Sequence, residues 1–431
     1  MTERGNDMAG TSGIGAMWRH KRVLAASLIG TAVEFYDFYI YATAASLIFP
    51  ALFFPSSSPG AQLMASYGSL ALAFLARPLG AAIFGHYGDR IGRKATLVTS
   101  LMLMGGCTLA IGFLPTHQQI GFWAPLILCL LRFGQGLGLG GEWGGAALLA
   151  VENAPSGWRA RFGMFPQLGA PVGFIAANGL FLILGTALSD ADFYAWGWRL
   201  PFLGSSVLVF LGLWVRLKLT ETPEFAAAKA EAPPPAVPLA TLLSSHLGAA
   251  IAGTFACAAC FAIYYIATAF ALGYGTTTLA IDRSAFLSLQ LGAILFMAVS
   301  IVLAGWWADR ASPTRVLAWG CAGAVLMGLV FGPLIGMGTL LPIFLALSLA
   351  LFLMGFVYGP LGAYLPALFP IQLRYTGASF AFNLGGILGG ALAPIVATWL
   401  IATQGVALVG LYMSVAAAIS LAGLWWTSRY P

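Results

Sequence analysis

The sequence predicts an all-α membrane protein with twelve transmembrane helices in two six-helix bundles. Three observations predict this fold: the composition, the length of the apolar runs, and the position of the basic residues between them. Of the 431 residues, 60% are hydrophobic and only 8% are charged, whereas about a quarter of the residues of a soluble globular protein are charged. The composition therefore excludes soluble domains, which need more polar surface, and disordered chains, which are less hydrophobic.

The apolar runs have the length of membrane-spanning helices, which need about 20 mainly apolar residues. They do not alternate between apolar and polar residues, so a β-barrel is excluded. The first run carries Glu34 and Asp37 and follows a polar segment at residues 1–22, so we expect a retained helix and not a cleaved signal peptide. The predicted spans are residues 23–53, 61–86, 95–115, 120–152, 161–187, 198–218, 247–272, 285–308, 314–336, 341–366, 376–400 and 405–427.

Most basic residues fall on one side of this topology. When successive loops are assigned to alternate sides, 16 of the 20 Lys and Arg residues lie on the side of the N-terminus, here named the basic side. The other side, here the opposite side, holds only Arg199 and Arg283. Positively charged loops remain cytoplasmic, so we expect both termini in the cytoplasm of a bacterial cell, with the protein in its inner membrane.

The spans divide into two related groups of six. A polar, Pro-rich stretch predicts a cytoplasmic linker at 220–246, between an N-terminal bundle at 23–219 and a C-terminal bundle at 247–431. The pattern G-x-x-x-D-R occurs at the same place in each bundle, at 85–90 and at 305–310. Parallel repeats of this kind predict a substrate site between the two bundles.

Five charged residues lie inside the predicted spans, where a charge costs about 2.5–3.5 kcal/mol on insertion scales. Glu34, Asp37 and Glu142 are the predicted proton-coupling residues, because the second bundle has no charge in the middle of a span. Arg77 and Arg132 are the predicted ligands of a substrate carboxylate, since a guanidinium group binds a carboxylate through two parallel hydrogen bonds. The alternative for each of the five is a structural ion-pair network within the first bundle.

Uncharged polar residues complete the predicted substrate site. Each has a structural alternative, a tyrosine or amide that is hydrogen-bonded between helices. These residues are Tyr36, Tyr41, Gln135, Gln167, Tyr264, Tyr265, Gln290, Tyr358 and Asn383.

Enzyme chemistry is not indicated. The chain has no phosphate-binding loop, nucleophile elbow or zinc-protease motif. The pair Cys257 and Cys260 has metal-site spacing but lies in an apolar run, which favours packing. We therefore predict no catalytic residues, no metal and no cofactor. The expected partners are a small-molecule substrate, protons and the lipid bilayer, without nucleic acid or an obligate protein partner.

Several motifs resemble the major facilitator superfamily of transporters, over essentially the whole chain. The loop Gly85-x3-Asp89-Arg90-x-Gly92-Arg93-Lys94 is similar to the superfamily signature, and Arg132-x-x-Gln135-Gly136 is similar to its fourth-span motif. The segments 34–38, 74–80, 131–145, 165–171 and 374–379 resemble the metabolite:proton symporter family, which includes carriers of citrate, α-ketoglutarate, shikimate and proline/betaine.

This resemblance implies uptake by alternating access, in which two bundles rock about a central site and proton influx drives substrate entry. The alternative function is a proton-driven efflux antiporter for drugs or metabolites. The resemblance also implies a charge network that closes the basic side. Ala367 replaces the acidic residue expected before the last basic-side turn, so we expect this closure to depend mainly on the first bundle. The predicted gating residues are Asp89, Arg90, Arg93, Glu152, Arg159, Arg161, Asp309, Arg310 and Arg374.

Overall fold

The computed structural model describes residues 13–55, 58–91, 93–217 and 238–427, except the side chains of residues 13, 14, 16, 85–97 and 215–217. Within these ranges the chain folds into helices without a β-strand. We number the twelve long helices in chain order. They are α1 (Lys21–Leu47), α2 (Pro59–Ile91), α3 (Arg93–Phe113), α4 (Trp123–Glu152), α5 (Arg159–Ala187), α6 (Arg199–Leu217), α7 (Leu247–Thr277), α8 (Arg283–Arg310), α9 (Pro313–Gly336), α10 (Leu340–Ala367), α11 (Ile371–Thr403) and α12 (Ala407–Thr427).

Ten of these helices contain a stretch long and apolar enough to cross a membrane by itself. Helix α6 does so together with the short helical segment Asp190–Gly197, from which it is bent by 45°. The remaining helix, α3, carries the shorter apolar stretch Val98–Phe113. The predicted twelve-helix membrane fold is thus confirmed. Most predicted boundaries differ from the observed ones by a few residues. The predicted first span at 23–53 is divided into two helices, which separate at Ile48, next to Pro50 at the start of Phe49–Phe53.

Four of the long helices are interrupted. Helix α4 breaks at Gly140–Gly141 and α10 breaks at Gly359–Pro360. Helices α7 and α11 each contain one turn of π-helix, at Ile266–Phe270 and Ile387–Ala391. Such turns occur often at functional sites because they redirect the side chains beside them.

The described helices form a first half, residues 13–217, and a second half, residues 238–427. In the first half α1 packs against α5, while α4 packs against α2 and α3. In the second half α7 and α9 pack against α12, and α8 packs against α10. Helix α5 lies along α8, and α2 lies against α11, so these pairs join the halves. Helix α7 is apolar all round and almost completely buried, as expected for a helix enclosed by others.

Candidate transport site

The five charges predicted within spans are all buried. Asp37, Arg132 and Glu142 are at most 1% exposed, and Glu34 and Arg77 are each 7% exposed. Removing such groups from water is costly unless hydrogen bonds or opposite charges compensate for the lost hydration. The hydrogen-bond and ring contacts of each of these side chains therefore indicate whether it has a structural role or could bind a substrate or a proton.

Asp37 faces α3 and α6 of its own half. Thr108 Oγ1 of α3 donates to Asp37 Oδ2 at 3.1 Å, and the Ser205 hydroxyl of α6 donates to Asp37 Oδ1. Gln135 Nε2 in turn donates to Thr108 Oγ1 at 2.7 Å, and Arg132 Nη1 donates to Gln135 Oε1 at 3.0 Å. A hydrogen-bonded chain thus joins the carboxylate on α1 to the guanidinium group on α4.

Arg77 and Arg132 both lie against the ring of Phe38. The Cζ atoms of Arg77 and Arg132 are 4.5 and 4.2 Å from the Phe38 ring centroid. Arg132 also lies 4.0 Å from the ring centroid of Tyr41, and Arg77 lies 4.8 Å from that of Phe74. A cation that is desolvated over an aromatic face gains about 2 kcal/mol, which offsets part of the burial cost.

Both guanidinium groups have hydrogen-bond donors to spare. Among the described residues, Arg77 Nε and the Nε and Nη2 atoms of Arg132 have no hydrogen-bond partner. A buried donor without a partner is unfavourable. An acidic ligand would supply the acceptors that these nitrogens lack.

Tyrosines from both halves surround Arg77. The ring of Tyr265 in the second half packs edge-on against Phe38 and Phe74, the two rings that contact Arg77. Tyr39 of the first half packs edge-on against Phe38 as well. The ring of Tyr39 stacks on that of Tyr264 with centroids 5.2 Å apart. An aromatic cluster thus fills the boundary between the halves beside Arg77.

Other predicted substrate residues bond within their own half. The Tyr36 hydroxyl donates to the Pro201 carbonyl at 2.9 Å, and the Tyr41 and Ser69 hydroxyls are 2.7 Å apart. Gln290 Nε2 donates to the carbonyls of Ala267 and Thr268, within the π-turn of α7. These contacts favour a structural use of the three side chains.

The remaining predicted residues lie nearer the boundary. Gln167 Oε1 accepts from Trp143 Nε1 at 3.2 Å, and the Trp143 ring stacks on Phe382 of the second half. Asn383 Nδ2 donates to the Gly140 carbonyl at 2.7 Å, across the two halves. Glu142 accepts from Ser100 Oγ of α3 at 2.7 Å.

On the basic side, Asp309 of α8 binds the first turn of α5. Its Oδ1 atom accepts from Ala160 N at 2.8 Å, and its Oδ2 atom accepts from Arg161 N at 3.0 Å and lies 3.2 Å from Arg161 Nε. A carboxylate is stabilised at a helix N-terminus. Asp309 therefore fastens the second half to the first.

A cavity of about 400 Å³ lies beside this contact, lined by Glu152, Arg159, Asp309, Arg374 and Ala367. Arg310 is exposed at the end of α8. The side chains of Asp89, Arg90 and Arg93 are outside the described residues, so the expectation that closure depends mainly on the first half stays a prediction. Asp309 adds a contact from the second half on this side.

Replacing Asp309 with Ala is expected to weaken closure on the basic side, because the first turn of α5 loses its acceptor. The loss of such a helix cap costs about 1 kcal/mol, which changes the ratio of closed to open molecules about fivefold. Distances between spin labels on Ser156→Cys and Ala311→Cys measure this ratio. Asp282→Ala is the matched control, since Asp282 caps only its own helix, through Ala285 N. Equal distance distributions in the two variants would contradict the assignment.

The halves are also in contact on the opposite side. Arg283, the first residue of α8, donates from Nη2 to Asp190 Oδ1 at 3.1 Å, and its Cζ atom lies 3.9 Å from the Phe193 ring centroid. Its Nη2 atom is 3.4 Å from the carbonyl oxygen of Gly185, near the end of α5. The two ends of the α5–α8 pair thus each carry one contact between the halves.

Several of these side chains were not among the predicted site residues. Thr108, Ser100 and Ser205 donate to the buried carboxylates, and Arg283 contacts the first half on the opposite side. The hydroxyl residues are common in apolar helices and gave no sequence signal. Arg283 was detectable as one of only two basic residues on the opposite side.

Comparison with known proteins identifies the family. A family model described as "Sugar (and other) transporter" matches residues 23–235. The chain is 48% identical over 408 residues to the inner membrane metabolite transport protein YhjE of Escherichia coli (strain K12), covering 94% of this chain and 93% of that one. It is 36% identical over 392 residues to the shikimate transporter of the same strain, covering 89% and 88%.

A third relative is the glycine betaine/proline/ectoine/pipecolic acid transporter OusA of Dickeya dadantii (strain 3937), with 30% identity over 419 residues that cover 94% of this chain and 82% of that one. Among solved structures, the major facilitator superfamily proton:xylose symporter XylE bound to 6-bromo-6-deoxy-D-glucose has the same fold. The TM-score is 0.76 at 15% identity, covering 95% of this chain and 96% of that one. The chain therefore belongs to the major facilitator superfamily, as one of its metabolite transporters.

Proposed function

We propose that this transporter is a symporter that imports a small organic anion or zwitterion together with protons. The observation that carries the proposal is the placement of the buried charges. All five lie in α1, α2 and α4 of the first half, and Arg77 meets an uncharged, tyrosine-rich surface of the second. Ionisable residues inside a membrane protein mark substrate and proton pathways.

The substrate carboxylate is assigned to Arg77, with Arg132 as the second group. Both present donors that have no partner among the residues that the structure describes, and a bidentate carboxylate contact satisfies them. The tyrosine rings beside Arg77 provide a flat surface for the remainder of the substrate. The names of relatives that carry shikimate and betaine support a small acid or zwitterion as cargo.

The proton is assigned to Asp37 or Glu142, with Glu34 as the third candidate. Asp37 interacts electrostatically with both Arg132 and Glu142. A substrate anion at Arg132 competes for the positive charge that stabilises the Asp37 carboxylate, so substrate binding favours protonation of Asp37. This competition couples the two cargoes although Asp37 faces away from the second half.

The transporter is further proposed to lie in a bacterial inner membrane, with the basic side and both termini in the cytoplasm. Two observations support this orientation: the excess of Lys and Arg on one side of the topology, and the name of the relative from E. coli. Asp309 and Arg283 then act as the inner and outer contacts that open alternately.

A two-step experiment tests the proposed symport. Thermal shift of the purified protein against shikimate, glycine betaine, proline and other small organic acids identifies a substrate. Uptake of that substrate into proteoliposomes is then measured with and without an inward proton gradient, and we expect accumulation that a protonophore abolishes. Uptake that ignores the gradient would reject symport, and gradient-driven export would favour the antiporter.

A further inference from the structure

The break in α4 lies directly before Glu142. The first segment of α4 ends at Leu139 and the second begins at Glu142, so Gly140 and Gly141 interrupt the helix. Both of their carbonyl oxygens accept hydrogen bonds from α11 in the other half. Asn383 Nδ2 donates to Gly140 O at 2.7 Å, and the Tyr375 hydroxyl donates to Gly141 O.

A single face of α11 makes these contacts. The rings of Trp143 and Phe382 stack with centroids 3.8 Å apart and an angle of 5°. A Cβ atom at Gly144 would overlap Ser379 Oγ, so the two helices touch closely there. The residues of α11 that contact the break follow i, i+4, i+7, i+8 spacing, which places them on one helix face; they are Tyr375, Ser379, Phe382 and Asn383.

Helices of the first half hold the break from the other side. A Cβ atom at Gly140 would lie 2.5 Å from Ala81 N and 2.8 Å from the carbonyl carbon of Gly80, so α2 allows only glycine there. The Glu142 carboxylate accepts from Ser100 of α3. The Glu142 side chain is therefore bound by α3 of its own half, while the backbone just before it is bound by α11 of the other half.

We propose that Tyr375 and Asn383 are positioning residues for Glu142. By binding the carbonyls of the two residues before Glu142, α11 determines where this carboxyl group lies when the halves are closed. Proton binding at Glu142 and the contact between α4 and α11 then influence each other, since coupling between two sites is reciprocal. This role rests on the proposed proton role of Glu142. The second half has no carboxylate in mid-span, and Tyr375 and Asn383 are the residues through which it influences proton binding.

The position of Glu142 depends on α11 because of the hydrogen bonds that the carbonyls of Gly140 and Gly141 accept. In an uninterrupted helix each carbonyl accepts from the backbone four residues later. At the break, Asn383 of α11 donates to the Gly140 carbonyl, and Tyr375 adds a donor to the carbonyl of Gly141, the N-cap of the segment that begins at Glu142. A buried carbonyl that loses its donor is unfavourable. Separation of the halves removes these donors, so the segment that carries Glu142 rearranges.

Infrared difference spectroscopy tests this inference on the purified full-length protein, without a substrate. All spectra are recorded at one fixed pH. The carboxyl bands of Glu142 are identified as those that disappear in Glu142→Gln. We expect Tyr375→Phe and Asn383→Leu to shift these bands and to change the ratio of neutral to ionised Glu142 by about threefold or more, within the range of coupling between residues in contact. Thr398→Val is the control on the same helix, because its hydroxyl donates only to Pro394 of its own helix.

Each result has one consequence. If the Glu142 bands of Tyr375→Phe match those of Thr398→Val, the inference is overturned. The result for Tyr375→Phe is sufficient for this decision if Asn383→Leu does not purify as a monodisperse protein. Gradient-driven uptake by Glu142→Gln would instead remove the proposed proton role of Glu142. Loss of that uptake together with unchanged bands in Tyr375→Phe leaves the proposed function in place and rejects the positioning role alone.

Discussion

Replacing Asp37 with Asn is expected to reduce gradient-driven uptake to the background of empty vesicles, while exchange of substrate across the membrane continues. Asn has the size of a protonated Asp. Its Oδ1 atom accepts from one of the two hydroxyls, Thr108 or Ser205, and its Nδ2 atom donates to the other, as a protonated carboxyl group would, but it cannot release a proton. A transporter fixed in this form still carries substrate in both directions, but it loses the coupling to the gradient. Net uptake and counterflow in the same proteoliposomes measure the two activities.

Asp192→Asn is the matched control for this change. Asp192 is exposed, and its carboxylate accepts from Ser189 outside the hydrogen-bonded chain. We expect its uptake and exchange to match the unmodified protein. Full gradient-driven uptake by Asp37→Asn would exclude Asp37 as a proton carrier and leave Glu142 and Glu34. Loss of exchange together with uptake would indicate a structural role for the carboxylate.

Replacing Arg77 with Lys is expected to raise the apparent KM for substrate by about 10- to 100-fold, the effect of losing a charge-assisted hydrogen bond worth about 1.5–3 kcal/mol. Lys keeps the positive charge but not the planar pair of donors, and it stacks less well on Phe38 and Phe74. Initial rates of uptake over a range of substrate concentrations give the KM.

Arg199→Lys is the control for the Arg77 substitution. The Arg199 guanidinium group donates to the carbonyls of Gly112 and Leu114, away from the buried charges. We expect a KM that is unchanged in this variant. An unchanged KM in Arg77→Lys as well would remove Arg77 as the substrate ligand, and Arg132 would be the remaining candidate.

The contacts at the two ends of the α5–α8 pair differ in strength. Asp309 is nearly buried and accepts two backbone hydrogen bonds, whereas the Asp190 side chain that pairs with Arg283 is 85% exposed. An exposed ion pair contributes about 0–1 kcal/mol, so the stacking of Arg283 on Phe193 holds this side chain more than Asp190 does. The halves are also joined near this end by buried hydrogen bonds from the Ser46 and Tyr67 hydroxyls to the Ala269 carbonyl of α7, at 3.0 and 2.6 Å. A transporter that alternates must break one contact while the other holds.

The sequence predicted the twelve helices well, and it misjudged local breaks. Long apolar runs determine spans because every backbone group in lipid needs an intrahelical partner. The sequence did not indicate that Gly140–Gly141 would interrupt α4, since the side chains that bind their carbonyls, Asn383 and Tyr375, lie more than 230 residues away.

The charged residues of the site could be predicted from the sequence, but their hydrogen-bond partners could not. Glu34, Asp37, Arg77, Arg132 and Glu142 were recognisable because a charge in an apolar run is rare and costly. Which hydroxyl meets which carboxylate depends on helix rotation, and the apolar surroundings of Thr108 and Ser205 gave no indication of it.

The sequence by itself determined that this protein crosses a membrane twelve times and that its buried charges lie in the first half, because both properties follow from the cost of placing polar groups in hydrocarbon. Only the tertiary structure decided that Asp37 faces α3 and α6 while Arg77 faces the tyrosines of the second half. The physical reason is that helix packing sets the rotation of each helix, and a side chain a few positions along α1 can therefore face its own half or the other.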